Sequence, residues 1–406
     1  MCDTLVAIDR GGAGRPGRTG RTARTGRTLF GKNSDRPRDE VQVVEAHDGR
    51  PAGGRLHTTH LEIPDEGAHA LIGSRPAWMW GFEHGLNEHR VAIGNERIFT
   101  IDDPHAAPPA LTGMDLVRLG LERATTADDA LTVMTDLLEL HGQGGRCAEG
   151  KDDPYWSSFL IADPRRAWIL ETSGRTWAAR PVDDAAAISN RVVLGTDWTR
   201  ASVDVAPGAD FDAWRDPNVP TVPSDDRLDA TRACIATSAS MLTPADLAAT
   251  LRNHGNGPWG APGSPPGDCS ALPRGVDPEL HGFTVCFHVN EPGFIVETTT
   301  SSMIAELPAD DATPARAWVA LGSPCASIYV PVDPVRGPPP ALAEPSTWRR
   351  FAALRDRVET DPGALVVVRS VLGPLETELW HQAGTGADPG ADPWPAVDAA
   401  LARLGV

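Results

Sequence analysis

The residues best suited to chemistry stand at the start of the chain, where Cys2 follows Met1. Methionine aminopeptidases remove an initiator methionine when the next side chain is small, so we expect a mature chain that begins with cysteine. Such a residue carries a thiol with an ordinary pKa of about 8.5 and a free α-amine with an ordinary pKa of about 7.7 to 8.0. The amine can take the thiol proton near neutral pH, so one residue supplies both nucleophile and base. The alternative is an inert buried thiol, the usual state of cysteine.

Two charged residues three positions apart, Lys32 and Asp35, lie at the end of the second predicted strand. The apolar runs at 4–8 and 27–33 predict two neighbouring strands. We expect Asp35 to accept a hydrogen bond from the α-ammonium, and Lys32 to favour the thiolate of Cys2. The alternative is a polar turn that carries a surface ion pair.

Strand and helix patterns come in separate blocks along the remaining chain. This favours antiparallel sheets with helices outside over a parallel doubly wound sheet. The predicted strands include 57–63, 69–73, 158–162, 167–171, 176–179, 187–193, 283–289 and 293–298. The predicted helices are 114–122, 127–140, 228–239, 244–253, 347–358, 362–382 and 394–404. A Gly- and Pro-rich loop is predicted over 255–277, and residues 331–406 are predicted to be a Pro-rich connection and helical extension packed on the domain formed by 1–330.

Arginine recurs at every third position of the Gly-rich segment 9–26. We favour an enlarged, flexible hairpin loop over a nucleic-acid-binding arm, because the whole chain carries a net charge of -18 and would repel phosphate backbones and anionic membranes. The sequence shows no secretory signal and no apolar run of about 18 residues. We therefore expect a cytoplasmic protein with free thiols.

Several motifs together resemble the secernins and the dipeptidase A family of N-terminal-nucleophile cysteine peptidases. They begin with Cys-Asp-Thr-Leu-Val-Ala at 2–7 and Phe-Gly-Lys-Asn-Ser-Asp-Arg-Pro at 30–37. The resemblance spans roughly 1–330 and implies an α+β fold, the four-layer αββα sandwich, and a cysteine-type dipeptidase. Its further segments are 74–81, 87–96, 142–147, 158–163, 167–172, 188–190 and 322–325.

The same superfamily includes penicillin V and bile-salt amidases, and this likeness implies a set of catalytic residues. Lys32 and Asp35 have the spacing of the amidases' basic residue and aspartate, with lysine in place of arginine. Asn95 and Asn190 are similar to two asparagines of the oxyanion hole. A later arginine of the amidase site has no position that the sequence assigns. For substrate binding we consider Arg36, Trp78 and Trp80, although the tryptophans fit core packing equally well.

The implied acyl-transfer mechanism requires no metal or organic cofactor. Pairs such as His57 and His60, or His84 and His89, lack good ligand spacing, and we favour a core pair over a ligand set for Cys286 and His288 on one strand face. The expected partners are a small peptide or amide substrate and methionine aminopeptidase, with neither nucleic acid nor membrane. The sequence leaves open whether the chain forms a homo-oligomer. It also leaves open two alternative functions: a non-catalytic, regulatory binding protein and an amidase of non-peptide acyl amides.

Overall fold

The computed structural model describes residues 1–11, 25–255, 283–291, 295–361, 363–384 and 392–406. The first eight strands are β1 Cys2–Asp9, β2 Arg27–Pro37, β3 Gln42–His47, β4 Arg55–His57, β5 Glu62–Pro64, β6 Leu71–Pro76, β7 His84–Asn87 and β8 Ala92–Ile98. The others are β9 Trp156–Ala162, β10 Ala167–Ser173, β11 Thr176–Pro181, β12 Ala185–Ile188, β13 Arg200–Ala201, β14 His288–Glu291, β15 Ile295–Pro308, β16 Arg316–Leu321 and β17 Val330–Val332. The helices are α1 Gly113–Arg123, α2 Ala127–His141, α3 Val222–Ile235, α4 Pro244–Leu251, α5 Pro345–Thr360, α6 Ala364–Gly384 and α7 Trp394–Arg403.

The strands form two large antiparallel sheets. The first sheet has the order β12-β1-β2-β15-β16-β17, with β14 also paired to β15. The second sheet has the order β13-β11-β10-β9-β8-β7-β6-β3. The hairpin of β1 and β2 lies inside the first sheet, so the start of the chain is held between neighbouring strands on both sides.

Alternating side chains of β1 show how the layers pack. Val6 and Ile8 belong to the core between the two sheets, whereas Leu5 and Ala7 pack under α3 and α4. Side chains alternate across a strand, so a strand buried on both faces reads as a continuous apolar run. Helices α1 and α2 cover the outer face of the second sheet. The order helix, sheet, sheet, helix confirms the predicted αββα sandwich.

Threonine caps set the beginnings of two of the covering helices. Thr112 precedes α1 and exchanges hydrogen bonds with Asp115, and Thr243 does the same with Asp246 before α4. Each pair satisfies backbone N–H groups that the first helical turn leaves without partners. These caps fix where the two helices start on opposite outer faces of the sandwich.

The three C-terminal helices pack on the same core as the sheets. Trp348 and Phe351 of α5 and Leu401 of α7 join the apolar cluster that contains Val6. The extension is therefore in contact with the sandwich, and a boundary at residue 330 stays a prediction. No helix of the described ranges has an apolar stretch that could cross a membrane.

Three predicted strands differ from the structure. The run 57–63 is not one strand, because residues 58–61 form a turn between β4 and β5, and 283–289 become a strand only at His288. The run 187–193 leaves the sheet after Ile188, because Ser189 and Asn190 turn their side chains to the chain start. Most of the loops predicted at 9–26 and 255–277 lies outside the described residues.

Candidate active site

The β1–β2 ladder sets the positions of the predicted nucleophile and its charged neighbours. Cys2 opens β1 opposite the end of β2, and Lys32 lies two residues from its pairing position. Residues two apart share a strand face, so Lys32 faces the second sheet together with Cys2. Asp35 lies on the other face, under the helices, where Arg227 approaches it.

Lys32 is a completely buried cation beside the thiol. Its side chain has 0% exposure, and its Nζ lies 3.6 Å from Glu96 Oε1 on β8. Burial opposes the charge, but the negative charges of Cys2 and Glu96 raise the pKa of Lys32 above its ordinary value. Burial raises the pKa of the Cys2 thiol, and the charge of Lys32 opposes this rise. Lys32 therefore carries the positive charge that its predicted role, favouring the thiolate of Cys2, requires.

Asn190 holds the nitrogen of Cys2. Its Oδ1 accepts from the Cys2 N–H at 2.6 Å and from Arg227 Nη2 at 2.7 Å. Its Nδ2 donates to the main-chain oxygen of Arg97 at 2.9 Å. Since the oxygen faces two donors and the nitrogen faces a carbonyl, the amide orientation is well determined. These bonds suit a residue that positions the amine better than one that binds an oxyanion.

Asp35 contacts the chain start through its backbone. Its main-chain oxygen accepts from the Met1 amine at 3.2 Å, and its N–H donates to Cys2 Sγ at 3.4 Å. The carboxylate instead accepts from Thr299 Oγ1 at 2.6 Å and lies 3.4 Å from Arg227 Nη1. Burial raises the pKa of Asp35 to about 7, and the terminal amine and Arg227 oppose this rise.

Arg227 is the site residue that the sequence reasoning missed. It is fully buried on α3, with Nη1 2.8 Å from Asp3 Oδ2 and 3.3 Å from the main-chain oxygen of Cys2. The predicted helix began at Leu228, one residue too late to include it. The sequence pattern offered little signal, because the stripe of α3 that the fold buries is mostly polar: Ser224, Arg227, Leu228 and Thr231. A buried arginine in such a stripe requires an anionic partner.

The structure does not bring the Asn95 amide to Cys2. Asn95 lies within β8, and its Nδ2 donates to Met114 Sδ on α1 at 3.3 Å. The next residue, Glu96, faces the opposite side and accepts a hydrogen bond from Thr4 Oγ1 on β1. Strand alternation therefore places Asn95 under α1 and Glu96 in the layer that contains the thiol.

The predicted substrate-binding residues are engaged with other side chains. Arg36 is buried, and its Nε lies 2.5 Å from Glu40 Oε2. Trp78 Nε1 donates to the other oxygen of the same carboxylate at 2.9 Å. The guanidinium of Arg118 on α1 lies over the ring of Trp80, with its Cζ 4.2 Å from the ring centroid. Trp80 thus packs against a covering helix, and binding of substrate by Arg36 or Trp78 stays a prediction.

Met1 occupies the space in front of Cys2. Its amine donates to Glu297 Oε2 at 2.7 Å, and its side chain packs against Phe283, Phe287 and Val289. With Met1 in place, burial raises the pKa of the Cys2 thiol to about 11, although Lys32 and the terminal amine oppose this rise. The thiol of the Met1-bearing chain is therefore protonated near neutral pH.

Comparison with known proteins finds a family model that matches part of the chain. The model of peptidase family C69 matches residues 74–198. The match confirms the predicted resemblance to this family of peptidases and the predicted class, a hydrolase of amide bonds.

Solved structures also resemble the chain. Penicillin V acylase from Agrobacterium tumefaciens is 10% identical, with a TM-score of 0.38 over 82% of this chain and 86% of that one. Conjugated bile acid hydrolase from Clostridium perfringens is 10% identical, with a TM-score of 0.39 over 78% of this chain and 92% of that one. Similarity at this level carries no argument about activity. The segment 74–198 of this chain is thus similar to peptidase family C69.

Proposed function

We propose that the chain is a cysteine-type dipeptidase whose nucleophile is Cys2, exposed by removal of Met1. The observation that carries this proposal is that both reactive atoms of Cys2 are held in one buried site. Its nitrogen lies 2.6 Å from Asn190 Oδ1, and its Sγ accepts from the backbone N–H of Asp35. Lys32 supplies the positive charge beside the thiol.

Removal of Met1 changes the nitrogen of Cys2 from an amide into a base. A thiol whose pKa is about 11 in the Met1-bearing chain needs such a base to react near neutral pH. The free amine takes the thiol proton, and the thiolate attacks the scissile carbonyl to form a tetrahedral intermediate. The protonated amine then gives its proton to the leaving amine. A water molecule, deprotonated by the same amine, hydrolyses the thioester.

The surrounding polar residues keep this amine in position. Asn190 Oδ1 accepts from the nitrogen of Cys2, and Arg227 Nη2 donates to the same oxygen. Arg227 is held in turn by the carboxylates of Asp3 and Asp35. Asn190 and Arg227 therefore orient the amine from the face of the sheet that α3 covers. Lys32 acts on the sulfur from the opposite face.

Met1 itself indicates the substrate class. In the unprocessed chain a methionyl group is joined through its carbonyl to the nitrogen of Cys2. In an acyl-enzyme an aminoacyl group is joined through its carbonyl to Sγ of the same residue. The contacts of Met1 thus approximate those of a substrate's first residue: Glu297 binds its α-ammonium, and the cluster with Phe283 and Phe287 binds its side chain. We therefore propose dipeptides with a free N-terminus and an apolar first residue.

The same contacts support an early removal of Met1. The amine of Met1 is paired with Glu297 and donates to the main-chain oxygen of Asp35, so a methionine aminopeptidase would have to break these bonds to reach it in the folded chain. We propose that excision occurs before this end of the chain docks between its neighbouring strands.

Hydrolysis of Leu-Ala by the processed chain tests the proposal. We expect wild type and a Cys234→Ala control, which alters a buried thiol of another core cluster, to be active, and Cys2→Ala to fall to background. A variant with lysine inserted between Met1 and Cys2 keeps the thiol but blocks excision, and we expect it to be inactive as well. Turnover by Cys2→Ala would contradict the nucleophile, and turnover by the insertion variant would contradict the amine as base.

A further inference from the structure

Four metal-binding side chains meet in the core on the side of the C-terminal helices. His254, Cys286, His288 and Cys325 are all buried, and one ligand atom of each lies within 4.8 Å of all the others. They come from separate places: the chain after α4, the approach to β14, the first residue of β14, and the turn after β16. Sequence reasoning favoured a core pair for Cys286 and His288, but the fold brings a second cysteine and a second histidine to them.

The distances within this cluster fit a tetrahedral centre. Cys286 Sγ lies 3.3 Å and Cys325 Sγ 3.4 Å from His288 Nε2. The rings of His254 and His288 meet edge to face, with centroids 5.1 Å apart. A tetrahedral zinc ion, with bonds of about 2.3 Å to sulfur and about 2.0 to 2.1 Å to nitrogen, separates its ligand atoms by about 3.3 to 3.8 Å. The observed sulfur–nitrogen separations fall at this spacing.

One of the histidines also has the outer partner that metal-bound imidazoles use. His288 Nδ1 lies 2.9 Å from Glu359 Oε1 on α5, and Arg38 pairs with the other oxygen of that carboxylate. A hydrogen bond at Nδ1 fixes the tautomer and leaves Nε2 as the ligand atom. Nε2 is the atom that faces both sulfurs.

The charges of the cluster suit a divalent cation. A divalent metal ion binds cysteine as the thiolate, so Cys286 and Cys325 each release a proton when it binds. Two thiolates and two neutral imidazoles then cancel the charge of a divalent ion, which removes the cost of burying an unpaired charge.

We propose that His254, Cys286, His288 and Cys325 form a structural zinc site. Two sulfur and two nitrogen donors are a preferred ligand set of zinc, and four protein ligands leave no open position for catalysis. The ion would join the end of α4, the start of β14 and the turn after β16. Through Glu359 it would also fix α5 against the sandwich.

Metal analysis of the purified full chain tests this proposal. After treatment with a chelator and reconstitution with zinc or cobalt under reducing conditions, we expect one equivalent of metal per chain. The cobalt form should show sulfur-to-cobalt charge transfer and tetrahedral visible bands, and X-ray absorption of the zinc form should give two sulfur and two nitrogen neighbours. Cys286→Ser and Cys325→Ser should lose the metal, whereas Cys234→Ser should keep it.

Three results would overturn the site. They are wild-type protein that holds clearly less than one equivalent of either metal, cysteine variants that keep the cobalt spectrum, and a mass that reveals a disulfide between Cys286 and Cys325 in freshly prepared protein. If the cysteine variants fail to fold, the X-ray absorption of wild type decides alone, because other ligand numbers contradict the assignment. None of these readouts depends on peptidase activity.

Discussion

The carboxylate of Glu297 gives the sharpest test of the proposed substrate class. Its Oε2 lies 2.7 Å from the Met1 amine, and its side chain keeps 23% exposure. A hydrogen bond to a charged group contributes about 1.5 to 3 kcal/mol. Because Glu297 is partly exposed, we expect its bond to the ammonium group to contribute no more than this range. Glu297→Gln should therefore lower kcat/KM for Leu-Ala by about 10- to 150-fold, since about 1.4 kcal/mol corresponds to a tenfold change in rate.

The assay compares two substrates and two variants. N-acetyl-Leu-Ala carries no α-ammonium, so Glu297→Gln should leave its slow hydrolysis unchanged or increase it. Glu306→Gln is a matched control, because Glu306 is a buried carboxylate of the same strand that pairs with Arg27 and Arg316. An equal loss with both substrates would show that Glu297 only supports the structure, and it would refute the assignment of the ammonium site.

Two further predictions concern the buried charges. Arg227→Met leaves the carboxylates of Asp3 and Asp35 without their shared cation. Urea unfolding should therefore show a free energy of unfolding that is lower by about 3 to 5 kcal/mol. An unchanged unfolding midpoint would contradict the ion-pair network. Burial raises the pKa of Glu96 from 4.5 to about 7, although Lys32 opposes this rise. Between these two pH values the folded state binds a proton that the unfolded state releases. The contribution of this proton to the free energy of unfolding is therefore present below pH 4.5 and is lost as pH rises through 7. Glu96→Gln should reduce the slope of the free energy of unfolding against pH by up to about 1.4 kcal/mol per pH unit. Parallel profiles of this free energy against pH for the two proteins would contradict the prediction.

Sequence patterns predicted the part of the site that depends on strand pairing. The runs of β1 and β2 are separated only by the Gly-rich segment 9–26, so their pairing as a hairpin follows from local pattern and places Lys32 near Cys2. Asn190 was named only through the likeness to the amidases, as a residue of the oxyanion hole, whereas in the structure its Oδ1 accepts a hydrogen bond from the nitrogen of Cys2.

Tertiary packing decided the rest of the site. Whether Asn95 or Glu96 faces the thiol depends on the face that β8 turns to the first sheet, and a motif alone does not fix this face. Arg227 comes to Cys2 only because α3 covers β1. The proposed zinc ligands show the same limit, because His254 and Cys325 lie far from Cys286 in sequence and no ligand spacing joins them.

The proposed mechanism requires a functional chain that begins with Cys2. We would treat the protein purified from its own cells with iodoacetamide and determine its intact mass and the sequence of its N-terminal peptide. We expect a chain without Met1 and a first alkyl group on Cys2, added well before the other cysteines react. A chain that retains Met1 while it hydrolyses dipeptides would contradict it.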